Sequence, residues 1–200
     1  LVFTDLNKMK PVASVDLGMD DFHTSNIFVD EKNDLVYWIN RKTADVISVS
    51  LSSLRIQDRY RPGKKYKDKY PITGATFDSG RGLIYISNKS DSSVLVLNSS
   101  LKVVAHHKNI KAYHLSVNSN TGVLYYLKSS GRKQMILSSM DLKAEHKSLY
   151  DYSVSGNRRP PRRILVLRDG NIITAGGHEL FKHDKNGKLL GKAKIEGSPE

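Results

Sequence analysis

The chain contains no cysteine. Disulfides, thiol nucleophiles, zinc ribbons and iron–sulfur clusters are therefore excluded. Long apolar runs are also missing. None approaches the about 20 residues a helix needs to cross a bilayer, so no membrane span is expected. The opening stretch, LVFTDLNKMK, has neither an initiating Met nor the layout of a signal peptide, as in a mature or truncated chain. No GxSxG, P-loop, GxGxxG or HExxH string occurs, and nothing places a nucleophile beside a base. Neither a metal nor another cofactor is called for. Acidic residues are scarce, with 20 Asp and Glu against 32 Lys and Arg, a net charge of +12. A field of that sign favours polyanions such as nucleic acid, anionic lipid or acidic glycans, without choosing among them.

What the chain does have is an internal repeat. Four apolar runs, LVYWIN (Leu35–Asn40), LIYISN (Leu83–Asn88), VLYYLK (Val123–Lys128) and NIITAG (Asn171–Gly176), start 48, 40 and 48 residues apart. Each follows a turn, respectively EKND, SGRG, SNTG and RDG. An alternating strand precedes each turn, ending near Asp30, Asp78, Asn118 and Asp169. A third strand follows each run (DVISVSL, SVLVLN, QMILSSM, HELFKHD), and a looser fourth is clearest in LKVVAHH and KLLGKAKI. Val, Ile, Leu and Tyr fill the runs, while Gly, Asn, Asp and Ser fill the breaks. The unit is four short antiparallel strands, the blade of an all-β propeller. A β-sandwich also has many short strands, but it does not repeat a turn-plus-run unit in this way. Tyr37, Tyr85 and Tyr125 recur at equivalent positions and are expected to be buried between blades. Ser138–Tyr150 has some helical character, with Ser139 as a cap. The repeat requires strand or loop there.

The runs resemble the YVTN-type repeat of bacterial β-propellers, in which an LYVxN-like strand follows a turn and precedes a VxVID-like strand. LIYISNKSDSSVLVLN (Leu83–Asn98) fits best and LVYWINRKTADVISVS (Leu35–Ser50) next. Lys128 stands where Asn is expected, and NIITAG lacks the Tyr. The WIN of Trp38–Asn40 departs from the YWTD pattern of lipoprotein-receptor propellers. The resemblance implies a binding platform that is periplasmic or secreted. Some related propellers are lactonases or quinoprotein enzymes.

In this frame residues 1–20 are half a blade, and 21–70, 71–110, 111–155 and 156–200 are whole ones. The expectation is a single domain of about four and a half blades of a larger, seven-bladed propeller. A small four-bladed ring with an extra N-terminal hairpin is the alternative. A piece of a larger ring would expose strand edges and tend to associate, although its oligomeric state is not legible.

Two basic clusters interrupt the repeat. RIQDRYRPGKKYKDKY (Arg55–Tyr70) interleaves Arg59, Arg61, Lys64, Lys65, Lys67 and Lys69 with Tyr60, Tyr66 and Tyr70, and reads as a hairpin or loop between units. NRRPPRR (Asn157–Arg163) sets Arg158, Arg159, Arg162 and Arg163 around two prolines that keep it extended. Both run up to an inner strand and are expected on the same rim, about two units apart. Cations hold phosphates while Tyr rings stack on bases, so this rim suits single-stranded nucleic acid or an anionic envelope polymer; an acidic protein is the other partner considered. A solvated loop is the plain reading of such a charge run. Among the histidines, His106 and His107 point to opposite faces of one strand. His114 opens an inner strand and faces the channel as a structural group. Asp30, Asp78, Asn118 and Asp169 recur in register. In metal-dependent propeller hydrolases such groups converge on an axial calcium, which is the rival reading, lactonase-type catalysis. Turn chemistry explains the same four residues. The sequence thus favours a noncatalytic binding module.

Overall fold

The computed structural model describes residues 1–5, 9–18, 24–63, 68–131, 134–141, 145–153 and 160–195. Nearly all the regular structure is β. Val2–Asp5 (β1) pairs with Lys10–Ser14 (β2) in a two-stranded antiparallel sheet. Four four-stranded antiparallel sheets follow, each in simple meander order. The first blade is Thr24–Asp30 (β3), Leu35–Asn40 (β4), Val46–Ser50 (β5) and Ile56–Tyr60 (β6). Ile72–Asp78 (β7), Leu83–Asn88 (β8), Ser93–Leu97 (β9) and Val103–Lys108 (β10) form the second. Ala112–Asn118 (β11), Val123–Gly131 (β12), Gln134–Met140 (β13) and His146–Ser153 (β14) form the third. The fourth is Arg163–Val166 (β15), Ile172–Gly176 (β16), Glu179–His183 (β17) and Leu189–Lys194 (β18).

The sheets stack through their faces, and each junction has its own apolar core. Val15 and Leu17 pack on Val36, Trp38, Ile47 and Val49 of the first blade. Tyr37, Ile39 and Val46 on the other face of that blade meet Ile84, Ile86 and Ile72. Tyr85, Val94 and Val96 meet Leu124, Tyr126 and Met140. Tyr125, Leu127 and Leu137 meet Ile172. Because successive side chains of a strand point to opposite faces, one run such as LVYWIN supplies two junctions, which is why the runs are apolar throughout. Burying each large side chain contributes about 1.5–3 kcal/mol.

The three repeated tyrosines sit between blades as expected, each nearly or fully buried. The Tyr37 hydroxyl reaches the Ser99 carbonyl of the next blade at 3.4 Å. The Tyr125 hydroxyl reaches the Lys185 carbonyl, again in the next blade, at 3.4 Å. Ser138–Tyr150 contributes to strands β13 and β14, and no helix forms in its described part. One segment differs from the sequence reading. Ile56–Tyr60, at the start of the segment read as a hairpin or loop between units, is the outermost strand of the first blade. An outer strand has solvent along one edge, so IQDRY needs no continuous apolar face, and its charge hides the strand.

β3, β7, β11 and β15 are the innermost strands, each packed against the next. They run in the same direction, so the sheet stack has two distinct faces. All four inner strands begin at one face, here called the mouth face. They end at the other in the β3–β4, β7–β8, β11–β12 and β15–β16 turns, here called the turn face.

Candidate anion-binding mouth

The axial hollow at the mouth face has a volume of about 520 Å³ and is lined by Asn26, Arg41, Thr73, Gly74, Ala75, His114, Leu115, Arg163 and Ile164. Each inner strand contributes. Asn26 comes from β3, Thr73 and Gly74 from β7, His114 from β11 and Arg163 from β15, while Arg41 follows the end of β4. Among the described residues, none that lines the hollow is acidic.

Backbone chemistry sets this arrangement. A side chain at Gly74 would put a Cβ 3.0 Å from the His114 Cα and 3.0 Å from the Tyr113 carbonyl oxygen, so the missing side chain lets β7 and β11 close up beside the axis. Beyond it, the Thr73 hydroxyl donates to the Ala112 carbonyl at 2.9 Å, and the Ser87 hydroxyl shares that acceptor. Gly176 does the same for the last blade, where a Cβ would fall 2.6 Å from the Pro161 Cα. The buried Pro160–Pro161 pair is thereby pressed onto β16. The Arg162 amide donates to the Ala175 carbonyl at 2.8 Å and pins the start of β15 beside β16.

The Arg163 Nη1 donates to His114 Nε2 at 2.9 Å. Burial, then the positive charges of Arg163, Arg41 and Arg162, pull the His114 imidazole down to about 4. It is therefore neutral at pH 7. The Arg41 Nε donates to the Ile72 carbonyl at 3.1 Å, which holds its guanidinium against the start of β7. The guanidinium carbon of Arg41 lies 5.6 Å, and the Lys69 Nζ 5.4 Å, from the centre of the Tyr70 ring. Tyr70 is thus flanked by two cations. Asp68 is already engaged, accepting from Ser90 Oγ at 2.5 Å and pairing with Lys89 at 3.5 Å.

The residues singled out in the sequence divide among several places. Arg162 and Arg163 stand at the mouth and are exposed. Lys69 lies on the approach to β7. Arg61, also exposed, follows the outer strand β6 at the same face. Arg59 serves a junction, since its Nη2 donates to the Leu17 carbonyl at 2.6 Å. Tyr60 packs against the core between the first two blades. It also lines a cleft of about 340 Å³ with Pro62, Ile86 and His106. Lys64, Lys65, Tyr66, Lys67, Arg158 and Arg159 lie outside the described residues. Arg41, Asn26 and Thr73 carried no sequence signal, because no charge run or motif surrounds them. The repeat frame offers one cue for Arg41, which directly follows the apolar run on the side where the inner strands begin.

The turn face is differently organised. Asp30 accepts from Asn33 Nδ2 at 2.8 Å, Asp78 from the Gly80 amide at 3.0 Å, Asn118 from the Asn120 amide at 3.0 Å and Asp169 from the Asn171 amide at 2.9 Å. These are turn bonds, repeated in register. Among the described residues, no group of three His, Asp or Glu side chains is placed to hold a metal ion.

Comparison with solved structures identifies the architecture. Virginiamycin B lyase from Staphylococcus aureus superposes with a TM-score of 0.72 at 12% identity, over 97% of this chain and 62% of that one. A streptogramin B lyase gives 0.69 at 14% identity, over 90% of this chain and 57% of that one. The β-propeller domain of Cps50 (Swd1) from Myceliophteria thermophila gives 0.62 at 11% identity, over 88% and 57%. The chain has the fold of a β-propeller. Such low identities establish the fold alone. The chain spans less than two thirds of the length of each of these proteins. No family model matches it, and neither does any curated protein.

Proposed function

We propose that this chain is a noncatalytic propeller module of the YVTN-repeat type that binds a polyanion across its mouth face. The observation that carries this is the gathering of Arg41 and Arg163, with Arg162 beside them, around a neutral His114, in a hollow with no acidic residue in its described lining. Guanidinium forks suit phosphate and carboxylate oxygens, and cations left without carboxylate neighbours keep their field for a ligand. Tyr70 holds Arg41 and Lys69 against its ring, which extends the cationic surface beside the hollow. The family assignment rests on the LIYISN and SVLVL segments, which form β8 and β9 in the order the repeat requires. A periplasmic or secreted setting is proposed on that resemblance.

The test is fluorescence anisotropy with a labelled oligothymidylate, as a generic phosphate polymer, over a range of salt. Three phosphate contacts predict that log K falls with log salt at a slope of about −2. Absence of binding, or binding insensitive to salt, overturns the proposal. Turnover of an ester or lactone on addition of calcium would favour the hydrolase instead.

A further inference from the structure

Beyond a face that attracts polyanions, we propose that the axial hollow is a seat for a single tetrahedral oxyanion, the terminal phosphate or sulfate group of a ligand. The inference rests on the reading above for its cations, but it assigns them a defined stoichiometry and geometry.

Three observations carry it. First, the site is concave. About 520 Å³ is far more than one water requires and accommodates a phosphate or sulfate group with its solvent. Second, the donors converge from separate elements: Arg163 from β15, Arg41 from beyond β4, His114 from β11 and Asn26 from β3. Groups arriving from around an axis surround a tetrahedral anion better than a planar carboxylate, which one guanidinium fork satisfies alone. Third, His114 and Arg163 form one unit in the lining, with the Arg163 Nη1 2.9 Å from Nε2 and 3.4 Å from Nδ1 of the imidazole. The imidazole also holds the Arg163 guanidinium in place, which leaves its other N–H groups to the ligand.

A bound dianion changes what His114 faces. The charged groups around it are Arg163 and Arg162 on the fourth blade and Arg41 on the first. Thr73 and Gly74 of β7 bring no charge. A dianion among these cations offsets their repulsion of imidazolium, so anion binding and proton uptake at His114 are linked.

The experiment is titration of the whole chain with sodium sulfate at constant ionic strength, followed by NMR of the His and Arg side chains and by calorimetry. Sulfate remains a dianion from pH 5 to 8. The expected result is one saturable site with shifts at His114 and Arg163, and acetate binding about tenfold more weakly. Arg163→Gln should weaken sulfate binding about tenfold, while Lys102→Gln, in the turn between β9 and β10, should leave it unchanged. Sulfate should bind more tightly at pH 5 than at pH 8, and His114→Gln should remove part of that gain. Circular dichroism melting checks that each variant is folded. A 5′-phosphorylated oligothymidylate should bind about fivefold more tightly than the unphosphorylated one if the group comes from a polymer end; equal affinities would assign the seat to small phosphorylated or sulfated molecules. Non-saturable shifts, or equal affinity in Arg163→Gln, overturn the seat. If the oligonucleotide binds and sulfate does not saturate, the seat fails and the polyanion reading stands. If sulfate saturates and the oligonucleotide does not bind, the polyanion reading fails and the seat stands.

Discussion

The two faces of this propeller both carry charge, yet use it in opposite ways. On the turn face, Arg81 donates to Asp78 at 3.1 Å and to the Ser119 carbonyl of the next blade at 3.0 Å. Asp78 is fully buried and also accepts from two backbone amides of its own turn. Charge there is consumed by architecture. At the mouth, Arg41 donates its Nε to the Ile72 carbonyl, and Arg163 leans on a neutral imidazole. Neither makes a carboxylate pair among the described residues of the hollow. Charge density alone does not mark a binding surface; what counts is whether the neighbouring groups have already satisfied it.

The largest expected effect should come from the turn face. Asp78→Ala leaves Arg81 and two amides without their acceptor and should cost about 3 kcal/mol in urea unfolding. Arg163→Gln, at the mouth, should stay within about 0.5 kcal/mol of the parent. Equal losses for the two would erase the contrast. Next in size is Gly74→Ala, which forces β7 away from β11 and should cost about 2 kcal/mol in thermal unfolding while weakening sulfate binding. A milder change is Tyr37→Phe, which removes hydrogen bonds to Asp30 and Ser99 at 3.5 and 3.4 Å and should cost about 1 kcal/mol. Burial, followed by the Asp30 carboxylate, pushes that phenol up, so it stays protonated across the accessible pH range.

A different kind of effect is a pH dependence at the mouth. His114 titrates near 6.5 when unfolded and at about 4 when folded. Between these values the unfolded chain binds the extra proton, so this residue's contribution is present above pH 6.5 and is lost as the pH falls towards 4. Melting temperature against pH should therefore slope less steeply in His114→Gln than in the parent. His183, fully buried and bonded to the Tyr152 hydroxyl at 2.6 Å, is shifted the same way by burial and adds to the parent slope in both proteins.

The blade pattern was legible because it is local. Each run, its turn and its partner strands lie within a few tens of residues, and alternation within one strand dictates which residues face which junction. Tyr37 and Tyr125 could be assigned to junctions on recurrence alone. The turn role of Asp78 and Asn118 followed from their position next to Gly-containing loops. β6 was hidden because an outer strand can carry Gln57, Asp58 and Arg59 without loss of burial. The mouth was only half legible. Arg162 and Arg163 announce themselves in a basic run, but the His114–Arg163 contact joins residues 49 apart. Arg41 reaches the hollow from a strand end with no motif around it. Such convergence depends on how blades are arranged about the axis, which no local pattern encodes.

The most direct test compares the salt dependence of oligothymidylate binding in two multiple variants. Arg41→Gln with Arg162→Gln and Arg163→Gln removes the mouth cations; Lys102→Gln with Lys188→Gln removes two exposed charges of strand-connecting turns away from the mouth. The account predicts that the first loses a slope of about 2 in log K against log salt, and that the second retains the parent slope. Identical slopes in the two variants would contradict it.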